Sequence, residues 1–119
     1  MNDKAKRGCA GEMRAARYLR KKGYSILSSN FNCPFGEIDL VAKKGDLIVF
    51  AEVKTRSAGQ QTLPREAVDR SKQQKIKKAS LYYLQQYNET CNVRFDVIEV
   101  ITSKVLQRAA LHHIENAFE

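Results

Sequence analysis

Glu37, Asp39, Glu52 and Lys54 are the residues of this 119-residue chain whose types and spacing could do chemistry. They fall on two runs, Gly36 to Lys43 and Asp46 to Thr55, separated by Lys44-Gly45. Both runs are rich in Ile, Val, Leu and Phe, and the pair reads as a β-hairpin. With the turn at Lys44-Gly45, Asp39 faces Phe50 and Glu37 faces Glu52 across the ladder. Strand alternation then places Glu37, Asp39, Phe50, Glu52 and Lys54 on one side. Ile38, Leu40, Leu47, Val49, Ala51 and Val53 form the other, a core face. Carboxylates gathered this closely repel, which should push at least one pKa upward. A hard divalent cation, Mg²⁺ or Mn²⁺, removes the repulsion and keeps positions open for a phosphate oxygen. Lys54, on the same face, can hold or help activate a water beside that ion. The set suits hydrolysis of a phosphodiester. The plainer alternative is an exposed strand face of mixed charge, because Asp followed by Glu-x-Lys at this spacing also arises by chance.

The flanking elements must position these groups. Cys9, Glu12, Met13, Ala16, Leu19 and Arg20 recur at helical spacing, so a first helix is predicted over Lys6 to Lys22, closed by Gly23. Glu12 lies on the stripe of Cys9, Ala16 and Leu19. A long acid facing inward is either bridged or functional. Tyr24 to Phe31 reads as a strand ending in the turn-like Asn32-Cys33-Pro34. Ser57 to Gln61 reads as a loop, and Pro64 to Val68 as an extra turn. A second helix is predicted from Ser71 to Tyr87, with Asp69 as candidate N-cap and Ile76, Ala79, Tyr83 and Leu84 inward. Val93 to Thr102 is another strand. Val105 to Ala109 is a candidate fifth strand, and Ile114 to Phe118 a candidate terminal helix. The order, helix, three strands, helix, one or two strands, predicts an α/β or α+β layered domain spanning residues 1–119.

Composition narrows the partner. The formal net charge is +8. Its excess sits in two helical segments, eight basic against two acidic residues over Met1 to Lys22 and six against two over Pro64 to Asn88. The hairpin between them is locally neutral because its acids cancel its bases. A basic body around an acidic centre suits a polyanion with a cation site, or else a solvated charged face. No apolar run approaches a membrane span, and no signal peptide is readable, so no membrane partner and a cytoplasmic location are expected. Cys9, Cys33 and Cys91 lack CxxC spacing and are expected as free thiols.

Gly36-Glu37-Ile38-Asp39-Leu40-Val41-Ala42 followed by Phe50-Ala51-Glu52-Val53-Lys54-Thr55-Arg56 strongly resembles the YraN family of small bacterial proteins with an endonuclease-like fold. Gly11-Glu12, Gly23-Tyr24, Asn30, Glu66-Ala67-Val68, Lys72-Gln73, Arg94-Phe95-Asp96-Val97 and His113-Ile114 with Asn116-Ala117-Phe118 match as well, so the resemblance covers nearly the whole chain. The family in turn is similar to the PD-(D/E)xK nuclease superfamily, nearest to archaeal Holliday-junction resolvases. That resemblance implies a restriction-endonuclease-like core, a central mixed sheet flanked by helices. It implies Asp39 and Glu52 as metal ligands with the main-chain carbonyl of Val53, Lys54 as the catalytic lysine, and Glu12 as the helix acid completing the site. It also implies Lys72 and Gln73 as polar helix residues flanking the site, and Glu37 is expected as a supporting acid. Ile38 stands where many superfamily members have proline.

The remaining residues have plainer readings beside the functional ones. Lys72, Lys75, Lys77 and Lys78 could track a phosphate backbone, or form a solvated helix face together with Tyr82. Arg56, just past the lysine strand, is the stronger contact candidate. His112 and His113, adjacent in a strand, point to opposite faces and read as structural. Asp96 reads as a solvent-facing polar position. Tyr82, Tyr83 and Tyr87 read as packing residues, with no RNA-recognition strand motif beside them. The expectation is a Mg²⁺ or Mn²⁺-dependent nuclease acting on DNA, branched or flapped, for which a two-fold junction substrate would favour a homodimer. A non-catalytic nucleic-acid-binding module on the same fold is the alternative, and a module for an acidic protein partner the third reading.

Overall fold

A strand that is apolar on both sides needs cover on both sides, and the run from Leu47 to Ala51 has it. The computed structural model of the chain describes residues 3–57, 68–87, 89–103 and 108–119. It contains helix α1 (Asp3–Lys21), strands β1 (Ser25–Cys33), β2 (Gly36–Lys44) and β3 (Leu47–Ser57), helix α2 (Arg70–Leu84), and strands β4 (Asn92–Ser103) and β5 (Arg108–Phe118). The strands form one five-stranded mixed sheet in the order β1-β2-β3-β4-β5. Only β3 and β4 run parallel, from Leu47 opposite Asn92 to Ser57 opposite Thr102. The chain segment between them carries α2, as a parallel pairing requires.

Each face of the sheet has its helix. Leu40, Ala42, Val49, Ala51, Ile98 and Val100 pack with Ala15, Ala16 and Leu19 of α1. Ile38, Val41, Ile48 and Phe50 pack with Ala79, Tyr83 and Leu84 on the α2 side. The hairpin therefore has two core faces where alternation led us to expect one. Phe50, assigned by alternation to the acidic side, is 1% exposed, with Tyr83 edge-on at 5.8 Å.

The turn explains a second difference. Lys44 pairs with Leu47, which leaves Gly45-Asp46 as the two-residue connection. Gly45 has φ 62, a conformation that an L residue adopts only with strain, and glycine at the first central position is the signature of a II′ hairpin turn. Phe50 consequently pairs with Val41 rather than Asp39.

Helix α1 ends before Gly23 at φ 96, and α2 starts at Asp69, whose side chain accepts the Lys72 N–H at 2.8 Å. The helix expected over Ile114 to Phe118 is instead part of β5. Ile114, Ala117 and Phe118 all join one apolar cluster, a helix-like spacing. Asn116, at φ 54, and the register irregularity opposite Phe95 and Val97 produce that spacing in a strand. The loop expected over 58–61, the turn expected over Pro64 to Ala67 and residues 105–107 of the candidate fifth strand lie outside the described residues. Cys33 and Cys91 are free thiols, and no described helix is long and apolar enough to cross a membrane.

Asp96 corrects a further expectation. It is fully buried on the α1 face, and three groups converge on it. Arg94 donates through Nε and Nη2 at 2.8 and 2.9 Å, His113 Nε2 lies at 2.7 Å, and the Asn116 N–H donates at 3.0 Å. Tyr18 of α1 lies 3.1 Å from the other ring nitrogen of His113, and Arg94 also donates to Tyr24. Burial opposes ionisation of Asp96, but the hydrogen bonds from His113, Arg94 and Asn116 outweigh it and hold its pKa below the ordinary value. The network ties α1, β4 and β5 together. Asp96→Ala should lower unfolding free energy by about 3–5 kcal/mol, as for other broken buried ion pairs. Urea denaturation at neutral pH measures this, and a loss below about 1 kcal/mol would show that the network adds little.

Candidate active site

β2 and β3 stay paired only as far as Leu40 opposite Ala51. Beyond that point Asp39 Oδ2 accepts the backbone N–H of Val53 at 2.8 Å. A side-chain carboxylate thus takes a strand donor at the end of the ladder. Ile38 packs with Val41 and Phe50 toward α2 while Leu40 packs toward α1, so the inside–outside alternation of β2 slips at Asp39.

The next residue of β3 is Glu52, 6% exposed. Lys72, in the first turn of α2, forms an ion pair with its Oε1, and Lys54 Nζ lies 3.4 Å from the same oxygen. Asp39 lies close enough to Glu52 for the two carboxyl groups to oppose each other's ionisation. Its carboxyl is pushed up to about 7, first by burial and then by the Glu52 charge, against the opposing Val53 N–H. Lys54 is lowered by burial and by neighbouring Lys72. Lys72 also loses solvation, but its bond to Glu52 and the Glu52 and Asp39 charges outweigh that and raise it.

The third wall comes from α1. A Cβ at Gly11 would collide with the Thr55 hydroxyl, so glycine lets the helix lie against β3 and carries Glu12 over the end of the sheet. One carboxylate oxygen each from Glu12, Glu37 and Asp39 lie within 4.8 Å of one another. Burial raises the Glu12 pKa, with Glu37 and Glu52 adding to it and a hydrogen bond with Asn30 opposing it. On the α2 side, Gly36, Glu37, Asp39, Glu52, Lys72, Lys75 and Ile76 line a cleft of about 150 Å³.

Glu12, Glu37, Asp39, Glu52, Lys54, Lys72 and Lys75 are therefore brought together, and Val53 is tied in through its N–H. Glu37 does not face Glu52 across the ladder as the expected register had it, since Asp39 holds that place. Two candidates are engaged elsewhere. Arg56 Nε donates to Glu99 at 2.7 Å, and Gln73 Nε2 donates to the Val68 carbonyl at 3.0 Å. Asn30 was not singled out for the site; it lies within β1 at φ 54, between Ser29 opposite Leu40 and Phe31 opposite Ile38, and asparagine is a residue that tolerates this conformation.

Comparison with known proteins decides the family. The profile described as uncharacterised protein family UPF0102 matches residues 11–100. A UPF0102 protein of Thermodesulfovibrio yellowstonii is 47% identical over 111 residues, covering 93% of this chain and 94% of the relative. One from Caldanaerobacter subterraneus is 50% identical over 113 residues, covering 93% of each. One from Syntrophus aciditrophicus is 44% identical over 120 residues, covering 100% of this chain and 93% of the relative. The chain belongs to the UPF0102 (YraN) family. The UPF0102 match begins at Gly11, the residue that admits Glu12 to the site, and runs through all four acids to Val100.

The raised Asp39 pKa has a direct consequence for this UPF0102 protein. Between the ordinary value of 3.8 and about 7 the folded chain holds a proton that the unfolded chain has released. Stability contributed by this group therefore falls as pH rises through that window. Thermal midpoints of wild type and Asp39→Asn between about pH 4 and about pH 8 measure it. The substitution should reduce the slope, with raised Glu12 supplying part of what remains, and a slope unchanged in Asp39→Asn would refute the assignment.

Proposed function

We propose that this UPF0102 protein is a divalent-metal-dependent nuclease that hydrolyses phosphodiester bonds in DNA, including branched or flapped forms, on a restriction-endonuclease-like core. The observation that carries the reading is the confrontation of Asp39 with Glu52 at the open end of the β2–β3 ladder, with Lys54 at 3.4 Å from Glu52. Fold stability does not call for it, because like charges this close weaken a sheet. The strand order supports it too: a helix, an antiparallel meander and a helix crossing to a parallel strand place these groups on adjacent strands between two helices.

The donors fit a hard cation. Glu12, Glu37 and Asp39 offer carboxylate oxygens at close quarters, and the Lys72 ammonium on Glu52 shows that the cluster draws positive charge. Asp39, Glu52 and the Val53 carbonyl would hold Mg²⁺ or Mn²⁺, with Glu12 supporting from the helix. Bound there, the ion would neutralise charge on the phosphate being cleaved. The chain's own groups do the rest. Lys54, half covered and lowered in pKa, can hold a water by hydrogen bond and pass or accept its proton more readily than a free lysine. Lys72 and Lys75 line the approach to the acids and can receive phosphate oxygens.

The test incubates pure protein with linear, flapped and four-way DNA and with RNA, with and without Mn²⁺. Wild type should cleave DNA only with the metal, and Lys54→Ala and Asp39→Ala should each lose about 10²-fold or more. Cleavage at the wild-type rate in either variant would come from a contaminant and sink the enzyme reading. Metal-independent DNA binding without cleavage would establish the accessory module instead.

A further inference from the structure

The β1–β2 connection carries a residue that its turn does not need. Cys33 pairs with Gly36, so Pro34 and Phe35 form the tip, where small polar residues are the usual choice. Phe35 is 48% exposed, and it is the one aromatic among the large exposed apolar side chains of the described residues. It directly precedes Gly36 and Glu37, two residues of the acidic cleft.

Its ring is not loose. Tyr82 of α2 meets it with centroids 6.1 Å apart at 66°, and Tyr82 meets Phe31 at 6.3 Å. Phe31 in turn stands edge-on to Tyr83 at 5.2 Å, and Tyr83 edge-on to the buried Phe50. A chain of aromatic contacts thus runs from the core of the sheet to the rim of the cleft. It fixes Phe35 before any ligand arrives, which lowers the entropy cost of binding to it. Lys75, Lys78 and Tyr82 follow one another at helical spacing on the same face of α2. Lys75 lines the cleft, and its β carbon lies close to where a Cβ on Gly36 would project. Neither Lys75 nor Lys78 forms an ion pair among the described residues.

We infer that Phe35, backed by Tyr82 and flanked by Lys75 and Lys78, is a stacking platform for an unpaired nucleotide beside the acidic cleft. The inference rests on the nuclease reading and sharpens its substrate class. An exposed ring with lysines beside it offers a base a flat apolar face and offers its phosphates two cations. A base within a duplex is already stacked on both sides and cannot use the ring, whereas a single-stranded end, flap or branch point can. An apolar peptide would use the ring but leave the lysines without partners. The site therefore selects nucleic acid with a single-stranded segment next to the bond to be cut.

The experiment uses oligonucleotides carrying 2-aminopurine: a single strand, a blunt duplex and a duplex with an unpaired tail. Binding is followed by fluorescence in chelator, so that no cleavage occurs. Wild type should quench the probe in the single strand and the tail and bind both more tightly than the blunt duplex. Phe35→Ala should weaken single-strand binding about fivefold or more and abolish the quenching. Phe35→Tyr should restore both, and Phe35→Leu, which keeps bulk without a ring, should not. Circular dichroism confirms that the variants are folded, as expected for a half-exposed position. Equal binding to single strand and duplex, unaffected by any Phe35 substitution, would overturn the platform and leave the nuclease reading standing. So would Phe35→Leu behaving as wild type. If wild type binds none of the three, the platform falls, and the nuclease reading is decided by cleavage with Mn²⁺.

Discussion

The site depends on the bond from the Val53 N–H to the Asp39 carboxylate. In a regular antiparallel ladder that donor would go to a backbone carbonyl. Giving it to a side chain lets β2 leave β3 without stranding a buried donor, and the opening turns Glu52 and Asp39 to the cleft beside α2 while leaving Asp39 within reach of Glu12 on α1. Everything else in the cleft follows from that parting. Gly11 is needed because α1 must come close enough for Glu12 to reach the gap. Asp69 is needed because α2 must begin where Lys72 can reach Glu52. The acids attract the lysines, and the lysines make the acids tolerable in a partly buried place.

Asp96 shows that burial alone does not make a site. It is more buried than Asp39, yet its pKa lies below the ordinary value while that of Asp39 rises. The difference is the company each keeps. Asp96 meets a guanidinium, an imidazole and a backbone N–H. Asp39 meets one backbone N–H and several carboxylates. A satisfied buried charge fastens the fold, whereas a frustrated one is available for chemistry. The two centres share the sheet but divide these roles.

The sequence was most legible where a local rule had no competitor. Gly23 closes α1, Asp69 caps α2, and the inward stripe of α1 already pointed Glu12 toward the site. It misled where two rules predict the same pattern. Leu47 to Ala51 is apolar at every position, so alternation could not say that both faces are covered, and Phe50 was assigned to the wrong one. Lys44-Gly45 and Gly45-Asp46 are both plausible turns, and the choice rests on which residue must take positive φ. Ile114, Ala117 and Phe118 have helical spacing because a left-handed Asn116 re-aims a strand. Asp96, flanked by Phe95 and Val97, shows the alternation of a strand with one wet face. Its partners Arg94, His113 and Asn116 announce themselves only once β5 is in place. Arg56 and Gln73 carried the right chemistry, but Glu99 and the Val68 carbonyl claim them.

The parallel ladder between β3 and β4 has a kinetic meaning as well. The β2–β3 hairpin closes on a two-residue turn, so Asp39 and Glu52 become neighbours through a local event. Joining Leu47 to Asn92 instead requires a long excursion of chain to be closed before any contact rewards it. Repulsion between the two acids is therefore present early, when Lys72 has not yet arrived on α2 and Glu12 has not been pressed down by α1.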